Sequence, residues 1–345
     1  MKFVDISGFG HSGKGVITDI LREFEGYQVP HYNFEFNLLR IQGGLIDLKH
    51  ALVDNWSPIR SDASIRRFYR LINTIGPKAR FSSPMSLFYS NGMNYDDYFK
   101  GKFSHLSKNY IHSLISASYF GDWPYLGIDK LPCQRFISRM RSNMRFDNSL
   151  IDVYVSDPEG FQTKTQKFLN DLFDTVKEEG TKVIIMHNAF EPFNPVAGIN
   201  LFDNAKLVVV QRDPRDIYAS TIVSEGAFIP KYETRANWKL KRNMLGNTID
   251  LFIERQALYF KHVNKDYDNG KVLRLQYEDV VLNYEKVLQQ LYDFLGETPE
   301  IHAKKGEFFK PELSSKNVGL WKKMADQTVI SRIESALKPY CYYEK

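Results

Sequence analysis

"SGFGHSGKGVITDIL", residues 7–21, decides how the rest of the chain is read. Glycines at 8, 10, 13 and 15 let a backbone turn tightly and aim its N–H groups at an anion. Phe3–Ile6 just before them reads as a short buried strand, and "GVITDILREFE" after them repeats apolar residues at helical spacing. The glycines therefore join a strand to a helix, the setting in which loop amides and a helix N-terminus cradle phosphate. Gly8, four residues and then Gly13-Lys14 fit the phosphate loop of nucleotide-binding proteins up to the last position, where Gly15 replaces Ser or Thr. A hydroxyl there helps to hold Mg²⁺ against the β- and γ-phosphates, so Gly15 points to a donor that needs less metal. The strands that end at His187 and at Gln211-Arg212 carry no acidic last residue to complete a metal site, although Asp213 lies close. A glycine-rich turn without a ligand is the plain alternative.

Working outward, "TKVIIMHNAF" (181–190), "AKLVVVQRDPRDIYAS" (205–220) and "KVLRLQY" (271–277) hold short β-branched or apolar runs. Such continuous runs suit strands buried on both faces, hence a parallel sheet covered by helices. A helix over "NYEKVLQQLYDFLG" stops at Gly296. The expected fold class is α/β, a P-loop three-layer fold with a central parallel sheet flanked by helices. Residues 55–175, with helical stretches such as "SDASIRRFYRLINTIG" and "LPCQRFISRMRSNMRF", read as a mostly helical insertion into one domain spanning 1–345.

Composition agrees with a folded globular protein. The 345 residues, 43% apolar and 14% aromatic, are enough to bury a large core. A net charge of +5 is too small to predict nucleic-acid binding, and Cys133 and Cys341 supply neither a disulfide framework nor the paired spacing of a zinc site. Neither a signal peptide nor a membrane span is visible, so the expectation is a cytoplasmic protein.

A second motif, "VVVQRDPRDIYAS" (208–220), puts Asp213 at a helix N-cap, Pro214 at its first position and Asp216 in its first turn. Capping accounts for these but not for Arg212, a guanidinium at the carboxyl edge of a parallel sheet, where open α/β folds bind ligands. Arg212 and the Ser220 hydroxyl, eight residues on, are suited to grip a second, separate phosphate.

With both motifs in this order, the chain resembles the sulfotransferases that use 3′-phosphoadenosine 5′-phosphosulfate (PAPS), and its loop is more similar to their carbohydrate-type branch. "GFGHSGKGVITDIL" looks like their loop for the 5′-phosphosulfate, and Arg212-Asp-Pro-Arg-Asp-Ile-Tyr-Ala-Ser220 matches their R-[DN]-P-[RK]-D-x-x-x-S stretch for the 3′-phosphate. The resemblance covers about residues 1–50 and 180–325. It implies donor contacts from Gly10, His11, Ser12, Gly13, Lys14, Gly15 and Val16, 3′-phosphate contacts from Arg212 and Ser220, and Tyr277 near the adenine. Lys316, in "SSKNVGLWKK", would reach the 3′-phosphate, although this segment lacks the Arg-Lys-Gly run of the cytosolic branch. Many members have Lys or Arg where His11 stands and Thr where Lys14 stands, so the loop cation has moved three residues along. A sulfuryl group carries less negative charge than a γ-phosphoryl, so Lys14 and loop amides can replace a metal, and no metal is expected.

In-line transfer to a hydroxyl needs a general base. The family implies two candidates: His187, 25 residues before Arg212, as in the cytosolic branch, and Glu35, 24 residues after His11, as in the carbohydrate branch. His31 and Glu191 are outside candidates. Arg66, Arg67, Arg70, Arg135, Arg139, Arg141 and Arg145 read plainly as a salt-bridged face. Their functional reading is a groove for an anionic glycan or glycolipid, with Trp56, Trp123 or Tyr125 stacking on sugar rings. The expected acceptor is a carbohydrate or glycolipid, first a bacterial cell-surface sugar. The competing readings are an ATP-dependent kinase of a small molecule or sugar and a catalytically inactive nucleotide-binding protein.

Overall fold

Five consecutive residues of the first strand, from Phe3 to Ser7, are buried, as a strand with neighbours on both sides requires. The computed structural model describes residues 1–32, 34–77, 93–121, 133, 151–223, 249–265, 270–324 and 326–343. In chain order the elements begin β1 (Lys2–Ser7), α1 (Gly15–Arg22), β2 (Tyr27–Gln28), α2 (Leu45–Lys49), α3 (Pro58–Ile75), α4 (Tyr95–Tyr98) and α5 (Phe103–Leu114). Next come β3 (Ile115–Gly121), β4 (Ile151–Ser156), α6 (Phe161–Asp174), β5 (Val183–His187), α7 (Pro195–Ile199), β6 (Ala205–Gln211) and α8 (Pro214–Val223). The chain continues through α9 (Ile249–Val263), β7 (Val272–Gln276), α10 (Tyr277–Leu282), α11 (Tyr284–Leu295), α12 (Pro311–Ser315) and α13 (Gln327–Leu337). It divides into two compact units, one of Met1–Phe36 with Glu178–Lys345 and one of Asn37–Lys177.

The first unit is built on a five-stranded sheet in the order β2-β5-β1-β6-β7, with every pairing parallel. Alternation along the strands sends Val4, Ile6, Ile185, Val208 and Val210 to one face, where they pack with Ile17, Ile20 and Leu21 of α1 and Leu288 and Leu291 of α11. Each such aliphatic side chain contributes about 1.5–3 kcal/mol when fully buried. On the other face Phe3 meets Phe202 edge-on, ring centres 4.8 Å apart. Helices thus flank a parallel sheet, the α/β arrangement that the strand patterns predict. The chain leaves β1 toward β2 at one edge and leaves β6 toward β7 at the other. The topological switch point therefore falls between the adjacent strands β1 and β6, at their carboxyl ends.

In the second unit α3, α5 and α6 share an aromatic core. Tyr110 stacks on Phe168 at 4.6 Å and meets Phe68 at 5.9 Å. This unit also holds an antiparallel pair, β3 with β4, that helical periodicity does not announce. Buried Asp62 accepts from the Tyr154 amide at 2.8 Å and pairs with Arg66 at 2.9 Å, so Arg66 has a structural partner. Trp56 is exposed, and its indole donates to the Ser156 carbonyl. Trp123, Tyr125, Arg135, Arg139, Arg141 and Arg145 lie outside the described residues.

Candidate functional site

The loop after β1 has two positions that only glycine fits. A side-chain carbon on Gly8 would stand 2.1 Å from Ser12 Oγ and 2.9 Å from the Val210 carbonyl. Gly13 has φ +80°, and a side-chain carbon there would meet the Tyr277 ring at 2.3 Å. His11 also lies in the left-handed region, at φ +60°. The Ser12 amide closes the turn on the Phe9 carbonyl, Gly10 is exposed, and Val16 packs on the core edge. Lys14 stands at the N-cap of α1, followed by Gly15, which lies near the Tyr32 hydroxyl.

Beyond the loop, both base candidates converge on Lys14. Its Nζ donates to Glu35 Oε1 at 2.8 Å, with the two side chains 24% and 39% exposed. Asn188 Nδ2 donates to the same carboxylate oxygen, and Asn188 Oδ1 accepts from the Gly8 amide at 3.3 Å. His187 ends β5 with its side chain buried; burial, then the Lys14 ammonium, pushes its pKa down to about 4 against the opposing pull of Glu35. The imidazole is therefore neutral at pH 7. Under this cluster Asp5 is fully buried and accepts from Ser7 Oγ and from the amides of Ala189 and Phe190. Burial raises its pKa, opposed by those hydrogen bonds.

The second half of the site forms where β6 ends. Arg212 Nη1 donates to the His11 carbonyl at 3.1 Å and to Ser220 Oγ at 3.0 Å, and its Nη2 donates to the Asn317 carbonyl at 2.6 Å. The guanidinium lies 5.0 Å from the centre of the Tyr277 ring, whose hydroxyl donates to the Ser314 carbonyl. Among the described residues, Arg212 Nε and His187 Nε2 are buried with no hydrogen-bond partner. Asp213, the acidic residue closest after the end of β6, is committed elsewhere. Both its oxygens accept from Arg215, one also accepts from the Tyr342 amide, and the buried pair leaves little for a metal. The Asp213 carboxylate also accepts from the Arg215 amide, the capping role that the sequence predicts. Glu278, buried beneath the Asp213 amide, has its pKa raised to about 7 by burial, against its hydrogen bonds.

The structure thus brings Lys14, Glu35 and His187 together, and Arg212, Ser220 and Tyr277 together, with His11–Lys14 linking the groups. Lys316 is exposed, one residue before the Asn317 carbonyl that Arg212 holds. Sequence reasoning missed Asn188 and Asn317, and it read Asp216 only as a first-turn residue, whereas its carboxylate also accepts from the amides of Gly319 and Trp321. Asn188 left one signal, an Asn directly after a strand end, where a left-handed residue is tolerated. Among the described residues no cluster of three or more His, Cys, Asp or Glu is placed to hold a metal ion, and no helix is long and apolar enough to cross a membrane.

A family model described as "Sulfotransferase family" matches residues 132–300, just under half of the chain. The match supports the sulfotransferase family. It takes in His187, Arg212, Ser220 and Tyr277, while the glycine loop and Glu35 precede it. No curated protein matches the chain. Similar solved structures include the sulfotransferase domain from the Synechococcus PCC 7002 olefin synthase, at 12% identity and TM-score 0.38, covering 100% of this chain and 95% of that one. Retinol dehydratase in complex with androsterone and inactive cofactor PAP is similar at 13% identity and TM-score 0.38, covering 99% of this chain and 81% of that one. Sulfotransferase STF9 from Mycobacterium avium is similar at 13% identity and TM-score 0.34, covering 97% and 75%. Likeness this distant carries no argument about the site.

Proposed function

We propose that the chain is a sulfotransferase that takes PAPS as donor and a hydroxyl of a carbohydrate or glycolipid as acceptor. The observation that carries the reading is the buried Arg212 guanidinium, aimed between loop, Ser220 and Tyr277, with Nε unpartnered. A buried donor without a partner is costly unless a ligand supplies one. The glycine loop is compatible with the same donor: Gly8 and Gly13 let its backbone pack directly on Ser12, the Val210 carbonyl and the Tyr277 ring, where a side-chain carbon would collide. Arg212 and Ser220 would hold the 3′-phosphate, with Lys316 near, while Gly10–Val16 would hold the 5′-phosphosulfate and Tyr277 would lie near the adenine. The donor supplies the sulfuryl group, which the acceptor oxygen takes as the bond to the 5′-phosphate breaks.

The chain's own residues then have distinct tasks. Glu35 takes the acceptor proton: it is the more exposed of the two candidates, and two cationic or amide donors hold its carboxylate in place. His187 stays neutral beside it. Lys14 and the loop amides stabilise the charge that grows on the departing 5′-phosphate. Residues 55–175 serve acceptor recognition in this reading, with Trp56 as an exposed ring.

The test is calorimetric titration with 3′-phosphoadenosine 5′-phosphate (PAP) beside ADP and ATP, with and without Mg²⁺. Metal-independent binding that depends on the 3′-phosphate supports the reading. Tight Mg²⁺-dependent ATP binding, with PAP no better than ADP, discards it in favour of a kinase.

A further inference from the structure

Asn188 has φ +46°, a left-handed conformation uncommon outside glycine. An outlier of this kind persists only where its surroundings over-determine it, and here they do. The His187 carbonyl accepts from the Phe36 amide at 3.1 Å, and the Asn188 amide donates to the Ile6 carbonyl at 3.1 Å. Buried Asp5 takes the next two amides, of Ala189 at 2.9 Å and Phe190 at 3.0 Å, and Ser7 Oγ donates to the Phe190 carbonyl at 2.8 Å. Glycine would meet this backbone demand with less strain, so the turn alone gives no reason for an asparagine. Its side chain does: Oδ1 accepts from the first amide of the phosphate loop, and Nδ2 donates to the carboxylate oxygen that Lys14 also holds.

We infer that Asn188 is a positioning residue, whose amide registers the Glu35 carboxylate against the Gly8 amide so that base and phosphate loop keep one spacing. The inference rests on the reading of Glu35 as the base. Lys14 by itself is a poor register, because its ammonium rides on a flexible four-carbon stem and is a point charge. The Asn188 amide is planar and hangs from a turn fixed to β1 by four hydrogen bonds. A hydrogen bond donated to a carboxylate also favours its ionised form, which is the form that accepts a proton.

The test uses the full chain labelled with ¹³C at the glutamate δ carbons, with Glu35 assigned by the signal lost in Glu35→Gln. Asn188→Gly keeps the left-handed backbone and removes the amide. Asn188→Asp keeps the backbone and the acceptor facing Gly8 but turns a negative charge on Glu35. Glu35 is expected to titrate at higher pH in both variants than in the wild type, furthest in Asn188→Asp. Asn188→Gly is expected to bind PAP within about threefold of wild type, while its breakdown of PAPS by water falls on the order of 10- to 100-fold. Coincident Glu35 titrations in the three proteins overturn the inference. So does PAPS breakdown at the wild-type rate in Asn188→Gly, or loss of PAP binding in that variant alone, which would make Asn188 a folding element. A wild type that binds no PAP sinks the sulfotransferase reading instead, and the Glu35 titrations still decide the role of Asn188.

Discussion

Replacing Arg212 by alanine tests whether one guanidinium both builds the site and reads a ligand. In the structure it donates to the carbonyls of His11 and Asn317 and to Ser220 Oγ, at 2.6–3.1 Å, and the residue is 5% exposed. Two carbonyls lose a buried partner, at about 1–3 kcal/mol each, less whatever water entering the space returns. That loss of about 2–6 kcal/mol is large beside a total stability of about 5–15 kcal/mol, so the thermal midpoint of Arg212→Ala must be measured first and binding read well below it. A charged hydrogen bond to a phosphate contributes about 1.5–3 kcal/mol, which corresponds to roughly a 10- to 150-fold weaker Kd when it is removed. The assay is calorimetric titration of wild type and variant with PAP and with 5′-AMP, which lacks the 3′-phosphate. The expected result is a loss of that size for PAP and less than about threefold for 5′-AMP. An equal loss for both ligands refutes the assignment, because Arg212 would then serve only to hold the His11 turn.

Glu35→Gln should stop sulfuryl transfer yet bind PAP more tightly, since Lys14 is released from its ion pair. With the two side chains 24% and 39% exposed, the gain stays under about 1 kcal/mol, or about fivefold, and weaker binding would contradict a Lys14 that faces the donor. His187 has a folded pKa of about 4 against an ordinary 6.5, so it contributes stability present above about pH 6.5 and lost as pH falls toward 4, up to about 3 kcal/mol. Glu278, raised to about 7, acts oppositely, its contribution being full at low pH and lost as pH rises toward 7, so the measurement is the difference in urea unfolding between wild type and His187→Asn. That difference should shrink from pH 7 to pH 4.5, and a constant difference would show that the imidazole is not held neutral. Gly13→Ala places a methyl into the Tyr277 ring at a left-handed position, costing about 1–3 kcal/mol in strain, and PAP affinity should fall at least about tenfold. Unchanged affinity would mean that the loop and Tyr277 are not packed as described.

What the sequence showed and what it hid divide by the range of the interaction. The β1–loop–α1 unit, the runs that become β5 and β6, and the Arg212–Ser220 pair are local: residues within a few turns of one another carry the whole signal. The β3–β4 pair escaped because β3 has five consecutive exposed residues and so no alternating buried face for a period-2 pattern to report. Asn188 escaped because its meaning depends on a positive φ and on a carboxylate 153 residues away. Asn317 contributes a backbone carbonyl, 105 residues from Arg212, which no side-chain pattern can encode. The sequence tilted the choice only slightly from His187 towards Glu35, because each sits at a position that a base can occupy. In the structure they differ in burial, Glu35 being 39% exposed and His187 buried, while both lie near Lys14.

The long-range ties also explain why the two halves of the site behave as one object. Residues 314–321 are tied to the segments that follow β6 and β7 through four bonds: Tyr277 to the Ser314 carbonyl, Arg212 to the Asn317 carbonyl, and the amides of Gly319 and Trp321 to Asp216. Trp321 then covers Arg215, whose guanidinium lies 4.2 Å from the ring centre. Because Arg212 donates at once to the loop at His11 and to this late segment, the phosphate loop and the C-terminal segment share a single cation. A ligand gripped by Arg212 stabilises the folded arrangement against unfolding by mass action, by about 2.7 kcal/mol at a hundred times its Kd. In the sulfotransferase reading, the loop that would cradle the 5′-phosphosulfate is therefore fixed by the residue that would read the other phosphate.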